Sequence, residues 1–180
     1  MKPVLYQLFV RLFGNKTPNP VYSGSIAENG CGKFADISDT ALHSIKSLVV
    51  THIWFTGVIA HACTTDYSRY GIRRSCAGIT KGKAGSPYAI RDYYDCDPDL
   101  AVDIPSRMKE FQALVKRTHK AGMKVLIDFV GNHVARQYQG DQRPAGVDDL
   151  GENDQPQLAF HPNNDFYYLP GQAFRIPELS

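Results

Sequence analysis

Cysteine, long apolar runs and charge of one sign are all scarce in this sequence. Its four cysteines, Cys31, Cys63, Cys76 and Cys96, form neither a CxxC pair nor a dense framework. Reduced thiols are therefore expected, and nothing points to zinc. No apolar stretch approaches the ~18 residues that a membrane span requires. Met1-Lys2-Pro3-Val4-Leu5 leads into no apolar segment with a small-residue cleavage site. No signal peptide is expected at this start, and a cytoplasmic location is favoured over secretion with a leader removed. Lys plus Arg number 20 against 18 Asp plus Glu, a net charge of +2. That balance gives no electrostatic footprint for nucleic acid. With 43% hydrophobic and 21% charged residues, the chain belongs among folded sequences rather than disordered ones.

What is present is an alternation of apolar runs and helical stripes. Val4 to Phe13, VLYQLFVRLF, is almost wholly apolar, the pattern of a strand buried on both faces of a parallel sheet. Leu42, Ile45, Leu48 and Val49 recur at helical spacing behind Ser38 and Asp39, which can cap the first turn. Thr51 to Val58 reads as a second buried strand. Met108, Phe111, Leu114 and Val115 predict a helix that Asp103 or Ser106 starts and Gly122 ends. Met123 to Val130 follows at once as a third strand. Strand, helix, strand, helix, strand argues for right-handed parallel crossovers. The segments after the three strands run about 24, 46 and 47 residues, while the helix-to-strand turns take two or three. Loops beyond ~15 residues carry function or insertions of their own. Ligands of α/β folds bind where strands end and helices begin, so a binding face is expected on that side.

The end of the third strand, Asp128-Phe129-Val130-Gly131-Asn132-His133, is the strongest local feature. Alternation puts Asp128 and Val130 on one strand face and Phe129 on the other. A carboxylate inside such a strand costs several kcal/mol if unpaired, so a partner such as Arg or a backbone NH is expected. Asn132 and His133 lie just beyond, either as a polar site for a ligand or an oxygen-liking cation, or as a strand cap with a structurally satisfied His. In Ser86 to Tyr94, the three tyrosines Tyr88, Tyr93 and Tyr94 can stack on flat sugar or base faces, or pack their loop onto the sheet.

Other motifs fail. Asp95-Cys96-Asp97-Pro98-Asp99 opens like an EF-hand, but Leu100 and Ser106 stand where Gly and Glu are needed. Ala77 to Ala84 misses the P-loop pattern at both ends, and no GxGxxG follows the first strand, which weakens a doubly wound nucleotide-binding reading. Arg69, Arg73, Arg74, Lys81 and Lys83 read as a solvated basic loop. Val134 to Ser180 carries a net charge of −4 against +6 for the first 133 residues, as expected of a distinct subdomain beginning near Val134.

Taken in order, these segments resemble the amino-terminal part of the alpha-amylase superfamily of glycoside hydrolases. VLYQLFVRLF and VVTHIWFTGV are similar to the first two barrel strands, SPYAIRDYYDCDPDL to the loop segment after the second, and AGMKVLIDFVGNH to the third strand. Asp128 to His133 falls on the family's first short signature region. The resemblance implies an α/β fold, a (β/α)8 TIM barrel, with its first three strands in residues 1–133 and the start of an inserted small domain in 134–180. It also implies retaining, two-carboxylate chemistry on α-glucosidic bonds of starch-like glucans or maltooligosaccharides, by hydrolysis or transfer. The family draws those carboxylates from later strands, so no catalytic residue is expected here and the 180-residue chain is expected to be inactive alone.

By position, the resemblance implies three substrate-binding residues. His133 hydrogen-bonds the sugar at the cleavage site, Tyr88 stacks under that ring, and Asp128 is the buried organising carboxylate. Asn132 matches a position that ligates structural calcium in many members, with the other ligands in the variable tail and beyond. No organic cofactor is implied. The Asp-rich calcium loop that some relatives carry after the first strand is missing, since Asn15 to Gly32 holds a single acid, Glu28. The expected partners are an α-glucan and the remainder of the barrel, with no nucleic acid and no membrane span. Such a barrel takes about 250 residues, so Leu179-Ser180 reads as a break inside a subdomain. The alternative is a non-catalytic carbohydrate-binding or interaction protein on the same fold.

Overall fold

The structure, a computed structural model, describes residues 2–173. Three strands, β1 (Leu5–Phe9), β2 (His52–Thr56) and β5 (Lys124–Ile127), form a parallel sheet in the order β1-β2-β5. The register sets Gln7 beside Trp54 and Trp54 beside Leu126. Between β1 and β2 lie a single-turn helix α1 (Ile26–Asn29) and helix α2 (Asp39–Lys46), and α3 (Arg107–Lys120) precedes β5. Ser38 caps α2 by accepting the Ala41 amide at 3.2 Å. The α3 entrance is built differently. Ser106 makes no side-chain cap, and Glu110 instead reaches back to accept the amides of Val102 and Asp103 at 3.0 and 2.7 Å.

One face of the sheet is packed. Leu8, Ile53 and Phe55 are buried with Leu42 and Ile45 of α2, Leu114 of α3 and Phe34 from the first connection. The opposite face has no such cover among the described residues, and Leu5 and Leu126 there are 52% and 41% exposed. The strands are thus not buried on both faces as expected. The first is also shorter than the apolar run: the chain turns at Phe9, whose carbonyl accepts the amides of Leu12 and Phe13 at 3.0 Å. The helical stripe before β2 likewise ends early. Leu48 and Val49 lie beyond α2 and are exposed, with Val49 at φ 65°, because the chain must reverse within a few residues to enter β2.

The long segment after β2 holds structure that its weak periodicity hides. β3 (Ile59–His61) pairs antiparallel with β4 (Ile90–Cys96), with irregular register between Ile59, Ala60 and His61. Residues 134–173 contain no helix or strand, yet their first part joins this hairpin through Ala135 N to Ile90 O and Gln139 N to Arg91 O, both at 2.7 Å. No helix among the described residues is long and apolar enough to cross a membrane.

Phe55 is fully buried while Leu48 is 62% exposed. Phe55→Ala is expected to lower the unfolding free energy by about 3–5 kcal/mol. Leu48→Ala is expected to change it by less than about 0.5 kcal/mol. Urea denaturation of the two variants checks both, and a large loss at Leu48 would restore it to the core.

Candidate active site

The ends of β1, β2 and β5 converge on one rim. Gly57 closes β2 at φ 75°, and a Cβ there would lie 2.9 Å from the Phe9 ring and 3.0 Å from Pro87, so the turn carrying Pro87 and Tyr88 lies over the β1 and β2 ends. Asp128 follows β5 directly. Its Oδ1 accepts the Trp54 indole NH at 2.5 Å, and its Oδ2 is buried without a partner among the described residues. The expected Arg or backbone partner is therefore replaced by Trp54, whose register position two residues before the end of β2 brings the indole alongside. An unpartnered carboxylate oxygen at this depth leaves room for one more donor from a ligand or another segment.

Beyond Asp128 the chain opens an exposed cleft of about 1530 Å³. Asn132 and His133 stand on its wall with Tyr93, Phe129, Tyr138 and Phe166. Tyr93 organises this wall. Its ring packs against Phe129 and Tyr138 at centroid distances of 5.6 and 5.8 Å, and its hydroxyl donates to the Val130 carbonyl. Burial raises the Tyr93 phenol pKa, so the group stays a donor. Tyr88 is half exposed on its turn and is not part of the cleft wall. Asp128 lies at the strand end and also stands outside it. The structure thus brings His133 and Asn132 into one cleft and leaves Tyr88 and Asp128 on the strand-end rim.

Among the described residues no group of three or more His, Cys, Asp or Glu side chains is disposed to hold a metal ion. The carboxylates along the same cleft are already engaged. Asp149 accepts the Gly140 and Leu150 amides, Asp154 those of Asp165 and Phe166, and Asp165 that of Gly151.

Beneath the rim runs a polar network that the sequence did not reveal. Arg11, just past β1, donates to Gly85 O and Ala84 O at 3.0 Å and to His61 Nε2. His61 Nδ1 in turn lies 2.8 Å from Asp97 Oδ2, without an aligned hydrogen bond between them. Asp97 Oδ1 accepts the Asp99 amide at 3.0 Å, and Tyr67 donates its hydroxyl to Asp99 Oδ1. Burial works against charge on Asp97, but the His61 ring and the Arg11 guanidinium more than offset it, and its pKa falls below the ordinary range. Asp99 goes the other way, pushed up to about 6 by burial and then by the Asp97 charge beside it. Burial also lifts the Cys31, Cys63 and Cys96 thiols to about 12, so none is a nucleophile at neutral pH.

Two further clamps fix the loops around the cleft. Arg107 grips Asp95 with Nε at 2.8 Å from both carboxylate oxygens and Nη2 at 2.7 Å. Arg91 and Arg73 both hold Asp141, which ties the segment carrying Asn132 and His133 to β4 and to the basic loop. Part of the stretch expected to be merely solvated therefore has a fixed partner.

The family model of the alpha-amylase catalytic domain matches residues 7–172. The chain belongs to the alpha-amylase family. Among curated relatives of the family, it is 25% identical over 138 residues to the trehalose-6-phosphate hydrolase of Bacillus subtilis (strain 168), covering 77% of this chain and 18% of that protein. Among solved structures, an alpha-amylase from Lactobacillus plantarum superposes with a TM-score of 0.51 at 27% identity, covering 76% of this chain and 24% of the other. The chain thus spans about a fifth of the curated relative and a quarter of the solved amylase. The fold is that of the alpha-amylase catalytic domain, a TIM-barrel family.

Asp99 supplies a pH test. Its folded pKa lies above the unfolded value of 3.8, so its contribution to stability is fully present below 3.8 and is lost as pH rises through about 6. Asp99→Asn keeps the oxygen that accepts from Tyr67 and removes the charge. Thermal melts are expected to match the unaltered chain near pH 4 and to exceed it above pH 6. A variant that melts lower at every pH would contradict this account of Asp99.

Proposed function

We propose that this chain supplies part of the substrate site of a glycoside hydrolase or transglycosidase acting on the α-glucosidic bonds of starch-like glucans or maltooligosaccharides. Residues 1–133 are read as the first three strands of its barrel, and residues from 134 onward as the start of the small domain inserted after the third. The observation that carries the reading is the pairing of His133 with Asn132 on the wall of a cleft directly beyond the end of β5, in a family whose model spans residues 7–172.

Within this reading the residues have separate tasks. The His133 ring hydrogen-bonds hydroxyl groups of the sugar at the scissile bond. Tyr88 offers an exposed ring on the adjoining turn to the apolar face of the same sugar. Asp128, held by Trp54 and with its second carboxylate oxygen unpartnered among the described residues, fixes the strand end from which Asn132 and His133 follow. The retaining step needs a nucleophilic carboxylate and an acid/base about 5 Å apart. Neither role is given to a residue of this chain, and Asp128, engaged by Trp54, takes neither.

Calorimetric titration of the 180-residue chain with maltotriose tests the proposal. Binding without bond cleavage is expected. A hydrogen bond lost at the sugar is worth about 1–1.5 kcal/mol, so His133→Ala is expected to weaken binding by about tenfold. Unchanged affinity in both His133→Ala and Tyr88→Ala, or maltotriose turnover by this chain, would overturn the assignment.

A further inference from the structure

The loop after β1 is held by one asparagine. Residues 15–25 contain no helix or strand, and no apolar side chain among them is buried; Val21 and Tyr22 are 52% and 98% exposed. Their bonds run instead to Asn29, the last residue of α1. Val21 N donates to Asn29 Oδ1 at 2.7 Å and Asn29 Nδ2 donates to Val21 O at 2.9 Å. The side-chain amide thus pairs with Val21 as a neighbouring strand would. The Asn29 carbonyl also accepts Asn15 Nδ2 at 2.8 Å.

The residue that follows has to be glycine. Gly30 has φ 70°, and a Cβ there would collide with Asn15 Oδ1 and Thr17 Oγ1. The geometry that needs an amide at 29 therefore also needs glycine at 30, and no other asparagine of the chain precedes a glycine. That pairing carries its own chemistry. With no Cβ in the way, the Gly30 nitrogen can reach Asn29 Cγ and close a succinimide ring. In the folded turn both reacting groups are engaged. The Gly30 NH donates to Ile26 O at 2.8 Å, and the Asn29 amide holds Val21. Ring closure has to break these bonds first. α1 is a single turn with no buried residue, which puts its opening at the low-stability end of the fold.

We propose that Asn29 is a deamidation site, reached when α1 opens, and that its product releases residues 15–24 from α1. The Gly30 nitrogen gives its proton to water and bonds to Asn29 Cγ. The Cγ–Nδ2 bond breaks, and Nδ2 leaves as ammonia with a proton from solvent. Water then opens the succinimide at either carbonyl, giving aspartate or isoaspartate. The sum is asparagine plus water to aspartate plus ammonia, with no oxidant or reductant. A carboxylate at this position still accepts from Val21 N but cannot donate to Val21 O, so two acceptor oxygens face each other. Isoaspartate in addition lengthens the main chain where Asn15 and Ile26 are bonded. Lys83 N donates to Ser23 O at 3.4 Å, so the freed loop borders the segment 83–85 that Arg11 holds ahead of Tyr88.

The experiment keeps the 180-residue chain in mildly alkaline buffer, folded and in urea, and maps its peptides by mass and by an isoaspartate assay. Modification is expected at Asn29 ahead of every other asparagine, and about tenfold slower in the folded chain, because it follows the open fraction of α1. Glu28 accepts the Ser25 amide at 2.7 Å. Glu28→Ala is expected to speed the folded reaction about fivefold, as one lost cap would, and to leave the rate in urea unchanged. In Asn29→Asp, which carries the product's charge, trypsin is expected to cut after Lys16 about tenfold faster, with cleavage after Lys116 of α3 unchanged. An unmodified Asn29 where other asparagines have reacted would overturn the site. Equal rates folded and in urea, or an unaltered rate in Glu28→Ala, would overturn its gating by α1. Unchanged cleavage after Lys16 in Asn29→Asp, or equal acceleration after Lys116, would overturn the release of the loop.

Discussion

The buried link from Arg11 through His61 to Asp97 is the constraint on which the rest of the rim depends. Arg11 leaves the end of β1, His61 ends β3 and Asp97 follows β4, so one chain of polar contacts fastens the three segments. His61 is 2% exposed and Asp97 is fully buried, and removing either partner strands the other without water. Stranding a buried polar group in this way costs about 1–3 kcal/mol, more where the group is charged. The same guanidinium reaches the carbonyls of Ala84 and Gly85, which anchors the turn that carries Pro87 and Tyr88. The position of Tyr88 therefore follows from an arginine more than seventy residues earlier. Among the described residues the main apolar core lies on the helical face of the sheet, and the strand-end loops join a small cluster of Cys63, Tyr67 and Ile72 to a network of charge and hydrogen bonds.

That division decides what could be read from the sequence. The parallel strands and α3 were legible because Leu8, Ile53, Phe55 and Leu114 lie on one packed face and leave a periodic trace. The β3–β4 hairpin was not. Its inward positions include His61, Arg91, Asp92 and Asp95, all buried but polar, so its alternation looks like loop. The ends of elements slipped for a similar reason. Leu48 and Val49 continue the apolar stripe of α2, yet the turn into β2 places them in solvent. DFVGNH singled out His133 and Asn132, and the structure places both on one cleft wall. No periodic signal linked Asp128 to Trp54, because that contact is set by register between strands more than seventy residues apart. The tail's aromatic contribution was missed because Tyr138 and the run Phe166 to Tyr168 lie in a polar segment without periodicity.

The acidity of that tail has a structural explanation. A segment with no helix or strand has no ladder to receive its amides, and each buried or half-buried NH still needs an acceptor. Here the acceptors are carboxylates. Asp149 takes the Gly140 amide, Glu152 that of Asp149, Asp154 those of Asp165 and Phe166, and Asp165 that of Gly151. Short side chains that accept from amides a few residues away suit this task, which is why Asp and Asn favour turns over regular elements. Much of the acidity that set residues from Val134 apart thus serves to hold backbone. Accepting an amide does not neutralise a carboxylate, so the cleft wall remains acidic. The cleft therefore presents aromatic and amide groups beside carboxylates whose positions the backbone fixes.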